Sequence, residues 1–113
     1  MFCSTIVPTI GRASLARAVN SVLEQQPISA DFEIIVVNDS GNPLPDQPWQ
    51  RAENVSVIGT NRRDKSIARN AGAAMARGDY LHFLDDDYLL PGALERFHQL
   101  ARQTGAALLH GGA

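Results

Sequence analysis

Six residues, Phe32-Glu33-Ile34-Ile35-Val36-Val37, restrict the fold more than any other stretch of the chain. A strand with one wet face alternates apolar and polar residues. This run is nearly all apolar and rich in β-branched side chains, so both of its faces must be covered. That is the pattern of a central strand in a parallel sheet. It ends abruptly in a polar cluster, Asn38-Asp39-Ser40-Gly41.

The flanking sequence supplies the rest of such a sheet. Phe2 to Val7 reads as a first strand closed by Pro8, and Thr9-Ile10-Gly11-Arg12 as a turn. Ser14 is placed to cap a helix in which Leu15, Val19, Val22 and Leu23 share one face, while Arg17, Asn20 and Glu24 fall away from it. Pro27 puts its end near Gln26. Residues 42 to 54 form a loop with Pro43, Pro45, Pro48 and the only tryptophan, Trp49. Trp49 is read as an anchor for that loop rather than as a lid. Val55-Ser56-Val57-Ile58 is a third, alternating strand. A second helix runs from about Ser66 to Arg77, and its small residues allow close approach to a sheet. Arg77 is expected to complement that helix's dipole. Tyr80 to Leu84 is a short buried strand that runs into Asp85-Asp86-Asp87. Pro91 opens a third helix with Leu94, Phe97, Leu100 and Ala101 on one face, and Gly105 ends it. Ala106 to His110 begins a fifth strand. The alternation indicates an α/β, Rossmann-like fold: a mostly parallel sheet with helices on both faces.

In sheets of this kind ligands bind beyond the carboxyl ends of the strands. The polar residues gather there: Thr9, Gly11 and Arg12 after strand one, Asp39 after strand two, Arg62, Arg63 and Lys65 after strand three, Asp85 to Asp87 after strand four. Three adjacent carboxylates repel one another, and on a strand Asp85 and Asp87 point to the same side. Hard cations such as Mg²⁺ or Mn²⁺ take oxygen ligands and share them with phosphates. A site for a polyanion and a metal is therefore favoured over a solvated acidic turn.

Composition sets limits. A chain of 113 residues makes one small domain, and 44% hydrophobic content suits a globular core. Net charge is −2, which gives no global field for nucleic acid, yet Arg62, Arg63, Lys65, Arg69 and Arg77 hold five of the ten basic residues in one segment. The single cysteine, Cys3, excludes an internal disulfide and a cysteine-based zinc cluster. No apolar run approaches the length of a membrane span, and the first residues lack the features of a signal peptide. His82 is read as a packed or partly exposed core residue rather than a ligand, and His98 as surface, since neither has a partner at metal-ligand spacing. His110 is kept as a site candidate at the end of strand five. Arg69 stands between a phosphate contact and a structural partner of a strand-end aspartate.

Several segments together resemble the family 2 glycosyltransferases, which have the GT-A nucleotide-sugar-binding fold. They are Ile6-Val7-Pro8-Thr9 with Gly11-Arg12, Ser21 to Gln25, Glu33 to Ser40, Ala68-Arg69-Asn70-Ala71-Gly72, Ala76 to Tyr80 and Phe83 to Asp87. The resemblance covers residues 2 to about 100. It implies that Pro8 and Thr9 lie against the nucleoside and that Asp39 accepts a hydrogen bond from the base, typically uracil. It also implies that Asp85 approaches the ribose while Asp87, or Asp86, ligates a Mn²⁺ or Mg²⁺ on the diphosphate. Arg62, Arg63, Lys65 or Arg69 would neutralise the same charge. The implied activity is metal-assisted, inverting transfer of a sugar from a UDP-sugar to an acceptor hydroxyl.

The chain departs from the family at Asn38, where an aspartate is common. No residue is assigned as the general base, which the family places beyond residue 113. Residues 1–113 are thus expected to form a single donor-binding domain, incomplete relative to a full catalytic domain and unable to turn over alone. The expected location is the cytoplasm, with peripheral attachment to the inner membrane face as an option. Self-association through a sheet edge is left open. A non-catalytic nucleotide-sugar-binding module or partner subunit is one alternative. A nucleotidyltransferase is another, disfavoured because Thr9-Ile10-Gly11-Arg12 holds a single glycine.

Overall fold

A computed structural model of the chain describes residues 2–11, 14–24, 31–62, 64–78, 80–84, 95–96, 99–100 and 108–111. The elements are β1 (Phe2–Thr9), α1 (Ser14–Leu23), β2 (Asp31–Asn38), a 3-10 turn (Pro48–Arg51), β3 (Val55–Gly59), α2 (Lys65–Met75), β4 (Tyr80–Leu84) and β5 (Leu108–Gly111). The five strands form one parallel sheet in the order β3-β2-β1-β4-β5. Residues 95–96 and 99–100 are helical. The remainder of the third helix expected from Pro91 to Gly105, with His98, lies outside the described residues.

The apolar run of β2 explains the layering. Ile34 and Val36 pack with Leu15, Val19 and Val22 of α1 and with Cys3, Val7 and Leu84. Ile35 and Val37 pack with Ile6 and with Ala68 of α2 on the other face. Alternate side chains of one strand thus feed two cores, as the pleat requires. Burying Leu15, Val19 and Val22 stabilises the docked α1 by about 1.5–3 kcal/mol per side chain. Arg17, Asn20 and Glu24 are exposed, as the spacing predicts.

On the opposite face α2 sits unusually close. A Cβ on Gly72 would lie 2.5 Å from Ile6 Cγ2 and 3.1 Å from Val37 Cγ2. Only a residue without a side chain permits that contact.

Several boundaries differ from expectation for physical reasons. Ser14 is the first helical residue of α1 rather than its cap, and α1 ends at Leu23. Strand β1 runs through Pro8 to Thr9 instead of closing at Pro8. The missing N–H is tolerated because pairing with β4 covers only Cys3 to Ile6, while pairing with β2 continues to Thr9. Helix α2 ends at Met75, two residues before Arg77. The chain leaves the helix because the Arg77 backbone N–H donates to Glu33 Oε2 at 2.8 Å. Arg77 therefore does not complement the dipole of the last turn. Its guanidinium instead meets Glu33 Oε1 at 3.5 Å. Strand β3 does not alternate, since Ser56 and Val57 are both exposed. Among the described residues it pairs only with β2, at the edge of the sheet.

Glu33, the one polar residue in the apolar run, is buried at the amino end of the sheet. It accepts from Ser4 Oγ at 2.7 Å, and Ser4 Oγ accepts from the Gly78 N–H at 2.8 Å. This network ties the starts of β1 and β2 to the turn before β4. His82 is fully buried, with Nδ1 3.2 Å from Thr5 Oγ1, and is a packed core residue as expected. Trp49 is 4% exposed within the α1-side core and anchors the long loop. Among the described residues, no helix is long and apolar enough to cross a membrane.

Candidate functional site

The strand order reverses at β1, with β2 and β3 to one side and β4 and β5 to the other. The crevice beyond the carboxyl ends of β1 and β4 is the switch point where parallel sheets take ligands. Thr9 ends β1 there, almost buried. Its carbonyl accepts from the Asp39 N–H at 2.9 Å, and its hydroxyl accepts from the Gly11 N–H at 3.0 Å. Gly11 sits at φ +87°, so the turn after β1 relies on glycine.

Asp39 is 3% exposed, and its carboxylate gathers the segment that follows β3. Oδ1 accepts from Thr60 Oγ1 at 2.6 Å and from the Arg62 N–H at 2.9 Å. Oδ2 accepts from the Asp64 N–H at 2.7 Å. Asp64 in turn caps α2: its Oδ1 accepts from the N–H groups of Ser66 at 2.9 Å and Ile67 at 3.3 Å. Those helix N-terminal donors are therefore used internally. Arg62 and Lys65 are exposed around this clasp, and Arg69 is half-buried on α2.

The second polar turn explains the departure at Asn38. Its Nδ2 donates to the Asn42 carbonyl at 2.7 Å, and its Oδ1 accepts from Ser40 N–H at 3.1 Å and Ser40 Oγ at 2.6 Å. An aspartate could make the second pair of bonds but not the first. Gly41 completes the turn at φ +80°, with Asn61 packed where a Cβ would go. A cleft of about 290 Å³ opens beside this turn, lined by Asn38, Pro43, Leu44, Gln50, Val57 and Ile58.

Of the residues expected in the site, Pro8, Thr9, Gly11, Asp39, Arg62 and Lys65 are brought to one end of the sheet. Arg69 follows on α2. Arg12, Arg63, Asp85, Asp86 and Asp87 lie outside the described residues, although Leu84 ends β4 immediately before the carboxylates. The backbone of His110 lies in β5, opposite Phe83. Among the described residues no cluster of three metal-ligating side chains occurs. Sequence reasoning missed Thr60 and Asp64. The signal for Asp64 was present, as an acid directly before a helical run.

The sequence model of the family described as Glycosyl transferase family 2 matches residues 4–112. The chain belongs to glycosyl transferase family 2. Among its relatives is the poly(ribitol-phosphate) beta-N-acetylglucosaminyltransferase TarP of Staphylococcus aureus (strain N315), 30% identical over 115 residues that cover 96% of this chain and 35% of TarP. The fold matches the crystal structure of S. aureus TarS 1-349 with a TM-score of 0.72 at 25% identity, over 93% of this chain and 33% of that one. It also matches TarS 1-349 in complex with UDP-GlcNAc, with a TM-score of 0.69 at 26% identity, over 93% and 32% of the two chains. This family 2 chain thus has the Rossmann-like GT-A architecture and spans about a third of the length of TarP and of TarS 1-349.

Proposed function

We propose that this chain is the donor-binding part of a sugar transferase that uses a nucleoside diphosphate sugar, most naturally a UDP-sugar. The observation that carries this reading is structural likeness, over almost the whole chain, to TarS 1-349 in complex with UDP-GlcNAc. The gathering of Thr9, Gly11, Asp39, Arg62 and Lys65 at the switch point supports it.

In this reading Pro8 and Thr9 flank the nucleoside, and Asp39 accepts from the base beside its loop contacts. Arg62 and Lys65, with Arg63 and Arg69, neutralise the diphosphate by charge-assisted hydrogen bonds. The donor set after Leu84, three adjacent carboxylates, fits a hard divalent cation, with Asp87 and Asp86 as ligands and Asp85 toward the ribose. Mn²⁺ or Mg²⁺ held there would stabilise charge on the departing diphosphate. The displacement is proposed to be inverting, with an acceptor hydroxyl as nucleophile. No residue of this chain is assigned as the base that deprotonates it, so the chain is expected to bind donor without transferring sugar by itself.

Calorimetric titration of UDP with and without Mn²⁺ tests the reading. Metal-dependent binding, weakened at least about tenfold by Asp87→Ala, is expected, the loss of a direct metal ligand being worth that much or more. A folded chain that binds no nucleoside diphosphate would contradict it, and sugar transfer by this chain alone would contradict the assignment of a missing base.

A further inference from the structure

The geometry points to Asp39 as the residue that positions the cationic loop, and not only as a contact for the base. We infer that its carboxylate acts as a clasp that sets where Arg62 and Lys65 stand, and so governs binding of the phosphates as well as of the nucleoside. The inference rests on the donor-site reading above and extends it.

Three contacts carry the argument. The Asp39 carboxylate is almost buried and holds Thr60 Oγ1, the Arg62 N–H and the Asp64 N–H at 2.6, 2.9 and 2.7 Å. These donors span the whole connection between the end of β3 and the start of α2. Two are backbone groups, so the carboxylate fixes the path of the chain and not merely a side-chain rotamer. The backbone donors lie at the cations themselves: Arg62, and Asp64 directly before Lys65. Asp64 passes the restraint on by capping α2 through Ser66 and Ile67. The far end of the clasp is equally fixed, since the Asp39 N–H donates to the Thr9 carbonyl and the Thr60 N–H to the Asn38 carbonyl, both at 2.9 Å. The clasp therefore joins β1, β2, β3 and α2 at one point. Long cationic side chains lose much rotamer entropy when they bind an anion. A fixed backbone beneath them leaves less to be ordered in that step.

A residue that only met the base would have no effect on a ligand without a base. The test uses inorganic pyrophosphate and UDP, titrated with Mn²⁺ into this chain and into Asp39→Asn, Thr60→Val and Thr60→Ser. Asparagine keeps one oxygen acceptor but cannot accept from Asp64, and valine removes the hydroxyl donor while serine restores it. Asp39→Asn is expected to weaken pyrophosphate and UDP together, by about tenfold, the size of one lost charge-assisted hydrogen bond. Thr60→Val is expected to weaken both, and Thr60→Ser to recover both. Amide hydrogen exchange supplies a readout that needs no ligand: Arg62 and Asp64 are expected to be protected in the parent chain and to lose protection in Asp39→Asn. If Asp39→Asn weakens UDP but leaves pyrophosphate binding and amide protection at the parent level, the clasp is overturned and Asp39 is a base contact alone. Arg62 and Asp64 amides that exchange freely in the parent chain overturn it as well. If the parent chain binds neither ligand while these amides are protected in it and released in Asp39→Asn, the donor-site reading falls and takes the clasp's role in binding with it, leaving Asp39 as a structural restraint on the loop.

Discussion

Glu33 and Arg77 show how differently two members of one ion pair can count. Glu33 is 5% exposed and Arg77 is 77% exposed, and they meet at 3.5 Å. Replacing Glu33 with alanine strands two donors, Ser4 Oγ and the Arg77 N–H, in or near the core. A loss of about 2–6 kcal/mol is expected from denaturant midpoints, since each stranded donor costs about 1–3 kcal/mol. Arg77→Ala should change stability by no more than about 0.5 kcal/mol in the same assay, because solvent already screens the guanidinium. Asn38 gives a second contrast. Asn38→Asp removes the donor to the Asn42 carbonyl and puts a carboxylate beside it. A loss of about 1 kcal/mol is expected from denaturant midpoints at this half-buried position. Such roles were barely legible in the sequence. Glu33 stood out as the one polar residue in an apolar run, but its partners lie 29 and 44 residues away. Asp39 stood out as a polar residue at a strand end, whereas its loop donors Thr60, Arg62 and Asp64 depend on how β3 returns beside β2.

At the scale of elements the chain announces itself more clearly. The helical face of Leu15, Val19 and Val22 and the apolar run of β2 are local patterns, and both appear as expected. The ends of elements are set by tertiary contacts instead. Helix α2 stops at Met75: the Ala76 N–H turns back to the Ala73 carbonyl, and a buried carboxylate in another strand takes the Arg77 N–H. Strand β3 exposes Val57 at 43% because its place at the sheet edge leaves that side uncovered, which alternation alone could not foretell. The richness of α2 in small residues was read correctly as a licence for close packing, and Gly72 is where the limit is reached. Gly72→Ala should cost about 1–3 kcal/mol, the usual penalty for overpacking, despite alanine's better helix propensity. Ala74→Ser, at an exposed position of the same helix, should fall within about 0.5 kcal/mol. Thermal unfolding of the two variants side by side checks the difference.

For the whole molecule, the parallel order β3-β2-β1-β4-β5 brings Thr9, Gly11, Asp39, Arg62 and Lys65, which are scattered in the sequence, to one end of the sheet. The two ends of the sheet do different work. The amino end carries the Ser4, Glu33, Arg77 and Gly78 network, which ties strands together. The carboxyl end carries Thr9, Gly11, Asp39, Arg62 and Asp64, where polar groups surround the switch point. The gathering of polar residues at the carboxyl end was readable in advance, since it needs only the order of elements and the residues that follow each strand; the network at the amino end was not. The central claim is that the carboxyl end binds the nucleotide. Titration of UDP with Mn²⁺ into isotope-labelled chain, followed by amide resonances, tests it most directly. Shifts at Thr9, Gly11, Asp39, Arg62 and Asp64, with Ser4, Glu33, Arg77 and Gly78 unmoved, are the predicted result. Shifts gathered at the Ser4–Glu33 end, or none at saturating UDP, would contradict it.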